Sequence, residues 1–321
     1  MKLRSICALA AVLALFNSPI PAKDKKKDPS EIGNRDVGKG INFYSPEKEI
    51  ALGKQLAEEV RRQSKMLDDP LVTEFVNRLG QNLARNSDAT VPFTFQVVEG
   101  EKLNAFAFPG GFVFVNTGLI EATESEAELA GAIAHEIAHV AARHITRQAT
   151  RGTIASYATV PLILVTGWPG AIARQAANTA IPLSYLSFSR GFETEADMLG
   201  LQYMYKAGYD PTASVDLFER ILSMEKRNPG VMARVFNTHP MTSDRIIKTQ
   251  KNIAEMLPGR AEYVVTTSEF NDVRARLKSR YAPRKSDDPN RPRLRRAPGG
   301  AVEPGEDSDD KPTLKRRDLV D

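Results

Sequence analysis

The sequence predicts an α+β fold that is mostly α-helical, with a small β-hairpin or sheet edge and a disordered C-terminal tail. Helix caps and apolar residues at helical spacing recur between residues 45 and 281. Apolar residues alternate with polar ones between residues 93 and 116, which favours short strands. Residues 282–321 are rich in proline and charge and contain no aromatic residue, so they lack the apolar surface that folding requires. The 321-residue chain is 41% apolar, which is enough for a substantial core.

The first 22 residues have the design of a secretory signal peptide. Lys2 and Arg4 precede an apolar stretch over residues 5–16, and Ala22 is suited to cleavage. The apolar stretch is shorter than the roughly 20 residues that span a bilayer. We therefore expect an exported, periplasmic protein; an uncleaved N-terminal helix buried in the fold is the alternative.

The single cysteine and the charge balance exclude several functions. Cys7 lies inside the predicted signal peptide, so a disulfide, a zinc–thiolate cluster and a cysteine nucleophile are excluded from the rest of the chain. Any metal must be bound by histidine and carboxylate. The net charge of +4, with both signs interspersed, argues against a nucleic-acid partner.

The helical region follows a linker that we assign to residues 23–44. Ser45 is the predicted cap of a first helix, and a second helix is predicted from about Asp69 to Asn86. We assign residues 45–281 to one folded domain.

The β region comes next. Phe93, Phe95 and Val97 alternate with polar residues, and segments 103–108 and 112–116 flank a Pro-Gly-Gly turn. This pattern predicts a hairpin in front of the next helix.

The helix after the hairpin has an acidic first turn, which its dipole favours. We expect it to begin near Thr123 or Ser125 and to continue to about Arg147. Further helices are predicted at about 192–207, 211–224 and 242–257.

An uncharged insertion interrupts the helical pattern at residues 152–189, where Arg174 is the only charged residue. Glycine and proline break its apolar runs, which disfavours a membrane span. We expect a mobile lid over a neighbouring groove or a segment that skims a membrane surface; a plain core segment is the alternative.

Two of the four histidines fall in the motif HEIAH at residues 135–139 of the predicted acidic-turn helix. Side chains at i and i+4 share one helix face, so His135 and His139 can bind one zinc ion. Zinc lowers the pKa of a bound water to about 7, and Glu136 can accept the proton of that water as general base. The motif therefore predicts metal-assisted hydrolysis.

A catalytic zinc needs a third protein ligand and an open fourth position. His144 lies nine residues after His135, about 180° round a continuous helix, so we expect it to face away from the metal. A following helix offers carboxylates instead. Glu193 and Asp197 share one face of that helix, whereas Glu195 should point to solvent or to a neighbouring helix.

Four motifs then occur in an order that resembles one known family: NAFAFPGGFVFVNTGL, AIAHEIAHVAARH, FETEAD and THPMTSDRI. The chain is similar to the HtpX-like zinc metallopeptidases of the gluzincin clan, relatives of the CaaX prenyl endopeptidases. The resemblance covers about residues 45–270. It implies a zincin-like core and one zinc ion per chain, bound by His135, His139 and Glu193.

The resemblance also implies roles for four other side chains. Glu136 is the general base, Asp197 orients a ligand histidine, and His239 and Arg245 approach the metal as catalytic residues. For His239 the alternatives are a removable fourth zinc ligand, an oxyanion donor and an ordinary turn residue. Arg245 either supplies positive charge to a tetrahedral intermediate or forms an ordinary helix salt bridge.

The second strand of the hairpin is, by the same resemblance, the edge along which substrate lies. An exposed strand edge can pair with an extended peptide through main-chain hydrogen bonds. The residues implied are Phe112, Val113, Phe114, Val115 and Asn116. A hairpin that only packs against the active helix is the alternative.

Membrane members of the family carry transmembrane helices around this core, and a periplasmic member continues into helical repeats. This sequence instead shows a predicted signal peptide and a predicted disordered tail, so it is similar to a secreted, minimal form of the family. We predict a zinc endopeptidase that hydrolyses misfolded or unassembled cell-envelope proteins. Its partners are then unfolded or extended polypeptides, with a peripheral membrane or outer-membrane assembly contact as an open alternative. The competing hypothesis is a chaperone-like protein that binds unfolded envelope proteins with little or no cleavage.

Overall fold

The computed structural model describes residues 25–166, 188–227, 239 and 242–281. The predicted signal peptide, residues 167–187 of the insertion and the predicted tail lie outside the described residues. The expectations for those three segments stay predictions.

The described elements confirm the mostly helical α+β fold class. The helices are α1 (Pro46–Gln63), α2 (Pro70–Arg85), α3 (Thr117–Ala122), α4 (Glu126–Ala141), α5 (His144–Thr166), α6 (Arg190–Ala207), α7 (Ala213–Arg227), α8 (Ser243–Met256) and α9 (Ser268–Tyr281). The strands are β1 (Thr94–Val98), β2 (Ala105–Phe108) and β3 (Phe112–Asn116). The short α3 and the final α9 are helices that the sequence pattern did not predict.

Local signals account for where several helices begin. Ser45 accepts a hydrogen bond from the Lys48 amide at the start of α1, and Ser125 accepts one from the Glu128 amide at the start of α4. These side chains satisfy backbone donors that have no partner inside the helix. The first turn of α4 is therefore fixed by its own sequence.

The three-stranded sheet has the order β1-β3-β2, with β1 parallel and β2 antiparallel to β3. The expectation that β3 is an open substrate edge is wrong. Its five residues are paired on both sides: Phe112, Val113, Phe114, Val115 and Asn116. The hairpin pattern indicates only the local β2–β3 pairing, whereas the parallel β1–β3 pairing is a tertiary contact. Among the strands that the structure describes, β1 and β2 lie at the two edges of the sheet.

The helix that carries the histidine motif is shorter than predicted. It ends at Ala141, and a separate helix, α5, begins at His144. Arg143 between them has φ 57°. Its guanidinium is held by the Glu49 carboxylate at 2.9 Å and by the Tyr44 carbonyl at 2.6 Å. Since no glycine or proline marks this break, only these long-range contacts could have revealed it.

The segment assigned as a linker belongs to the folded domain. Between residues 25 and 44, Ile32 and Val37 are buried in the main hydrophobic cluster. Arg35 forms an ion pair with Asp88 at 2.9 Å, and their side chains are 2% and 0% exposed. The charged composition of this segment predicted a linker, although Ile32, Val37 and Arg35 are buried in the domain.

The core surrounds α4, which is buried over almost its whole length. A helix that is apolar on all sides is expected at the centre of a domain. The sheet, α2 and α6 contribute to the same cluster of buried residues. Among the described residues, no helix is both long and apolar enough to cross a membrane.

Candidate active site and metal centre

The packing of α6 against α4 brings the predicted ligands together. At Gly200 on α6, a Cβ atom would lie 3.2 Å from the backbone nitrogen of His135. The missing side chain therefore permits a close approach of the two helices. Glu193 and Asp197 lie on the turns of α6 that precede Gly200. From there their side chains reach the histidine face of α4.

The side chains of His135, His139 and Glu193 have the spacing of zinc ligands. The Nε2 atoms of His135 and His139 lie 3.0 Å apart. Of the Glu193 carboxylate, Oε2 lies 3.4 Å from Nε2 of His135 and Oε1 lies 3.5 Å from Nε2 of His139. Zinc bonds of about 2.0–2.1 Å give tetrahedron edges of about 3.3–3.4 Å. Two imidazoles and one carboxylate at these separations fit a zinc ion.

His239 supplies a fourth corner to the same group. Its Nδ1 atom lies 2.9 Å from the Glu193 carboxylate and 3.2 Å from Nε2 of His135. Its Nε2 atom lies 3.3 Å from the Glu136 carboxylate. The ligand atoms of His135, His139, Glu193 and His239 all lie within 4.8 Å of one another. The arrangement is therefore that of a closed, four-ligand site.

Asp197 and Arg245 form the support behind His135. The Asp197 carboxylate lies 3.0 Å from Nδ1 of His135, the ring nitrogen opposite the ligand group. It also accepts two hydrogen bonds from Arg245, at 2.8 and 2.7 Å. A carboxylate at Nδ1 holds the proton there and leaves Nε2 free to bind metal.

The Arg245 guanidinium faces the two acidic groups rather than an open space. Besides Asp197, it lies 3.0 Å from the Glu193 carboxylate. The side chain is 7% exposed. This geometry favours the salt-bridge alternative for Arg245 over a charge directed at a reaction intermediate.

Burial and neighbouring charges separate the acidic groups by pKa. Burial raises the pKa of Glu136, and the charges of His239 and His135 oppose that rise. Burial also acts to raise the pKa of Asp197, but the Arg245 charge together with the hydrogen bonds from His135 and Arg245 outweighs it and lowers that pKa below its usual value. Glu136 is thus the acid best suited to take and return a proton, while Asp197 stays ionised.

His144 and Glu195 lie elsewhere than the helical wheel indicates. His144 is fully buried, with Nδ1 3.0 Å from Nδ1 of His139 and Nε2 3.1 Å from the Glu195 carboxylate. As expected, His144 stays outside the metal group, but it is packed against His139 instead of pointing outward, because the break at Arg143 resets the register. Glu195 does reach a neighbouring helix, and it also binds Lys26 at 2.7 Å. The only hint in the sequence was that His144 is one of four histidines.

The outer edge of β2 runs beside Glu136 and is buried, since Ala105 and Ala107 are 6% and 3% exposed. The Asn104 carbonyl accepts the Asn116 amide at 3.0 Å, so residues 104, 106 and 108 pair with β3. The main-chain groups of Ala105 and Ala107 therefore point away from β3. The nearby Ala107 backbone acts to lower the pKa of Glu136, against the larger effect of burial. The hairpin was predicted correctly, but the edge strand within it was not identified.

Comparison with known proteins agrees with this site. The family described as Peptidase family M48 matches residues 70–253. A putative beta-barrel assembly-enhancing protease of Vibrio cholerae is 33% identical over 80% of this chain and 54% of its own length. The beta-barrel assembly-enhancing protease of Escherichia coli (strain K12) is 28% identical over 73% of this chain and 49% of its own length. The mitochondrial metalloendopeptidase OMA1 of Saccharomyces cerevisiae is 34% identical over 48% of this chain and 44% of its own length.

The chain spans about half the length of the curated relatives it matches. The matched residues contain His135 and His139 on α4, the acidic residues of α6 and Arg245 on α8. On this match and this arrangement of side chains, the chain belongs to peptidase family M48.

Proposed function

We propose that this chain is a zinc metalloendopeptidase that cuts unfolded or unassembled proteins of the cell envelope. One observation carries the proposal: two imidazoles and a carboxylate lie at tetrahedral separations beside Glu136, whose pKa is raised by burial. Two histidines and one glutamate are the ligand set of several zinc peptidases. Our assignment of the HtpX-like group within the family rests on the four sequence motifs.

The chain's own residues then have distinct tasks. When bound, zinc would polarise the scissile carbonyl and make water acidic enough to react near neutral pH. Glu136 accepts the proton of the attacking water at its carboxylate and returns it to the leaving amine. Asp197 keeps His135 in the ligand tautomer, and Arg245 keeps Asp197 ionised.

The β2 edge is the proposed substrate strand. Main-chain groups of Ala105 and Ala107 are directed away from β3 and lie on the side of Glu136. An extended peptide paired with this edge would be recognised by its backbone rather than by its side chains. Such recognition suits a protease of unfolded chains.

The site in this conformation is proposed to be latent. A catalytic zinc keeps one position for water or substrate, and His239 stands at that fourth corner. We infer that His239 must leave before substrate binds. The oxyanion-donor alternative for His239 would then apply to the open state.

The envelope setting rests on two supports. The bacterial relatives are named beta-barrel assembly-enhancing proteases. The predicted signal peptide at residues 1–22 would export the chain to the same compartment as such substrates. We propose periplasmic action on unassembled outer-membrane proteins, with a peripheral contact to the membrane or to the assembly machinery.

The function is tested by comparing the exported chain, residues 23–321, with its Glu136→Gln variant on a disordered polypeptide, with and without a zinc chelator. We expect stoichiometric zinc in both proteins and cleavage only by the wild type. Loss of a general base should reduce the rate about 10²- to 10⁴-fold. Binding of the polypeptide by both proteins with no cleavage by either would support the chaperone-like alternative and overturn this proposal.

A further inference from the structure

All four histidines of the chain form one connected cluster, although only three belong to the metal group. His139 uses Nε2 toward the metal group, and its other ring nitrogen, Nδ1, lies 3.0 Å from Nδ1 of His144. His144 is fully buried, and its Nε2 atom lies 3.1 Å from the Glu195 carboxylate. A buried chain of hydrogen bonds therefore leads away from the metal group on the side opposite Asp197.

The direction of these hydrogen bonds is set by metal binding. If Nε2 of His139 binds a metal, its Nδ1 must carry the ring proton and donate it to Nδ1 of His144. His144 must then carry its own proton on Nε2, and that proton needs an acceptor. The Glu195 carboxylate is the acceptor in place. The reverse arrangement, with His144 donating to His139, would leave a proton on Nε2 of His139 and block the metal.

Glu195 is held as an acceptor by cations of two other segments. Lys26 Nζ lies 2.7 Å from one carboxylate oxygen, and Arg147 lies 3.4 Å from the other, which also binds His144. Lys26 comes from the N-terminal segment and Arg147 from α5. The Glu195 side chain is 19% exposed, so these contacts lie at the rim of the buried cluster.

Stacked aromatic rings fix the orientation of the His139 and His144 imidazoles. Phe188 stacks on His139 with centroids 4.0 Å apart, and Phe192 stacks on His144 with centroids 4.4 Å apart. The stacking restricts rotation of both rings, so their nitrogen atoms stay aligned.

The N-terminal segment is anchored independently of Glu195. The Lys26 carbonyl accepts hydrogen bonds from Arg35 at 2.7 Å and from Gln202 at 2.9 Å. Arg35 itself is buried against Asp88. The backbone at Lys26 is thus held by contacts that do not involve its ammonium group, which binds the Glu195 carboxylate.

We propose that His144 and Glu195 are positioning residues that hold His139 in its metal-binding tautomer, and that Lys26 couples this array to the N-terminal segment. The proposal rests on zinc binding by the proposed function but not on peptide cleavage. It assigns to His139 a support equivalent to the one that Asp197 gives His135. Outer contacts of this kind are typically worth about 10- to 100-fold in metal affinity.

The test measures the zinc dissociation constant by chelator competition and the visible spectrum of the Co²⁺-substituted protein. His144→Phe keeps the ring shape but removes the acceptor, and we expect zinc affinity to fall about 10- to 100-fold. His144→Asn places an amide oxygen, which is always an acceptor, near the position of Nδ1 and should restore most of the affinity and the Co²⁺ spectrum. Recovery in the asparagine variant separates tautomer control from simple loss of packing.

A double-mutant comparison tests Glu195. Glu195→Gln alone should weaken zinc binding, because an amide can donate to His144 and reverse the chain. In the His144→Asn background the same change should have no further effect, since the asparagine oxygen accepts without help from Glu195. Lys26→Met should weaken binding less than Glu195→Gln. The matched control is Glu99→Gln, a carboxylate bound by Lys65 and Arg280 at 2.8 Å, outside the metal group.

The outcomes distinguish this inference from the proposed function. Unchanged zinc affinity in both His144→Phe and Glu195→Gln overturns the inference and leaves the peptidase proposal standing. Equal losses in His144→Asn and His144→Phe also overturn it. Affinity losses as expected, in a wild type that binds zinc but cuts no polypeptide, would support the inference and refute the peptidase. A wild type that binds no zinc refutes both.

Discussion

Glu193 and Glu195 lie two residues apart on α6 and contact different histidines. Glu193 faces the group formed by His135 and His139, whereas Glu195 binds His144. The helical wheel separates the two carboxylates correctly. It does not reveal that Glu195 is connected through His144 to His139, because His144 belongs to a different helix from the one assumed.

Replacing Glu193 with alanine removes one of the three protein ligands that we propose for the open site. We expect the variant to lose stoichiometric zinc and all peptidase activity, since two imidazoles alone hold zinc weakly. Metal content of the purified, dialysed protein is the measurement. Glu99→Ala, which removes a carboxylate outside the metal group, should keep both zinc and activity. Zinc retained at one equivalent in the Glu193 variant would exclude this residue as a ligand.

Replacing His239 with alanine should open the site, because three ligands remain to hold the zinc. If the closed form accounts for about nine tenths of the molecules, cleavage of an unfolded substrate should rise about tenfold. Initial rates at saturating zinc measure the effect. A fall in rate with zinc retained would instead assign His239 to oxyanion stabilisation.

At the scale of the element, β2 carries the proposed contact with substrate. Ala105→Pro removes an N–H that faces away from β3, and an edge strand tolerates proline there. We expect KM for an extended peptide to rise while zinc content and thermal stability stay close to wild type. The control is Phe106→Pro, which removes an N–H paired with β3 and should destabilise the sheet. Equal KM values for wild type and Ala105→Pro would argue against substrate pairing at this edge.

The first turn of α4 is held by a buried acid and a tyrosine. The Tyr209 hydroxyl donates to Glu126 at 2.7 Å, and Thr267 donates to the same carboxylate. Burial, together with the Glu126 hydrogen bond, raises the pKa of Tyr209 above its usual value. The neutral hydroxyl is therefore favoured in the folded state.

A raised pKa gives a defined pH dependence to this contact. The stability that Tyr209 contributes is fully present below the ordinary tyrosine pKa of about 10 and is lost as pH rises above it. Tyr209→Phe should lower the free energy of unfolding by about 1–3 kcal/mol near neutral pH, because Glu126 loses a donor. It should also flatten the decline above pH 10, as measured by urea unfolding. If the free energy of unfolding falls equally with pH in Tyr209→Phe and in the wild type, the prediction is wrong. Tyr205→Phe is the control substitution.

At the scale of the whole molecule, the N-terminal segment is part of the folded domain. Arg35 pairs with Asp88, and Asp88 also accepts a hydrogen bond from Tyr203 at 2.9 Å. The segment therefore joins α6 to the end of α2. Its position next to Glu195 brings the start of the described chain close to the metal group.

Breaking this buried pair should be costly. Arg35→Met leaves the Asp88 charge buried without its cation, and we expect a loss of about 3–5 kcal/mol in the free energy of unfolding. The control is Lys25→Met, which removes an exposed pair with Glu31 and should cost less than about 1 kcal/mol. Equal midpoints of denaturation for Arg35→Met and wild type would show that residues 25–44 are indeed a linker.

Long-range contacts decided what the sequence pattern could not predict. The break at Arg143 depends on Glu49 and Tyr44, which are 94 and 99 residues away along the chain. The central position of β3 depends on its parallel pairing with β1. These contacts form only when separate elements pack together, and neither caps nor periodicity encodes them.

The sequence by itself determined the elements whose signals are local. The i, i+4 spacing of His135 and His139, with Glu136 between them, requires only one helix, and a Ser cap with an acidic first turn is enough to begin that helix. The fourth corner at His239, 104 residues from His135, and the support of His139 by His144 were decided by the tertiary structure. The physical reason is that a metal site needs several groups at fixed distances of about 3 Å, and only the packing of α6 against α4, with α8 against α6, sets those distances.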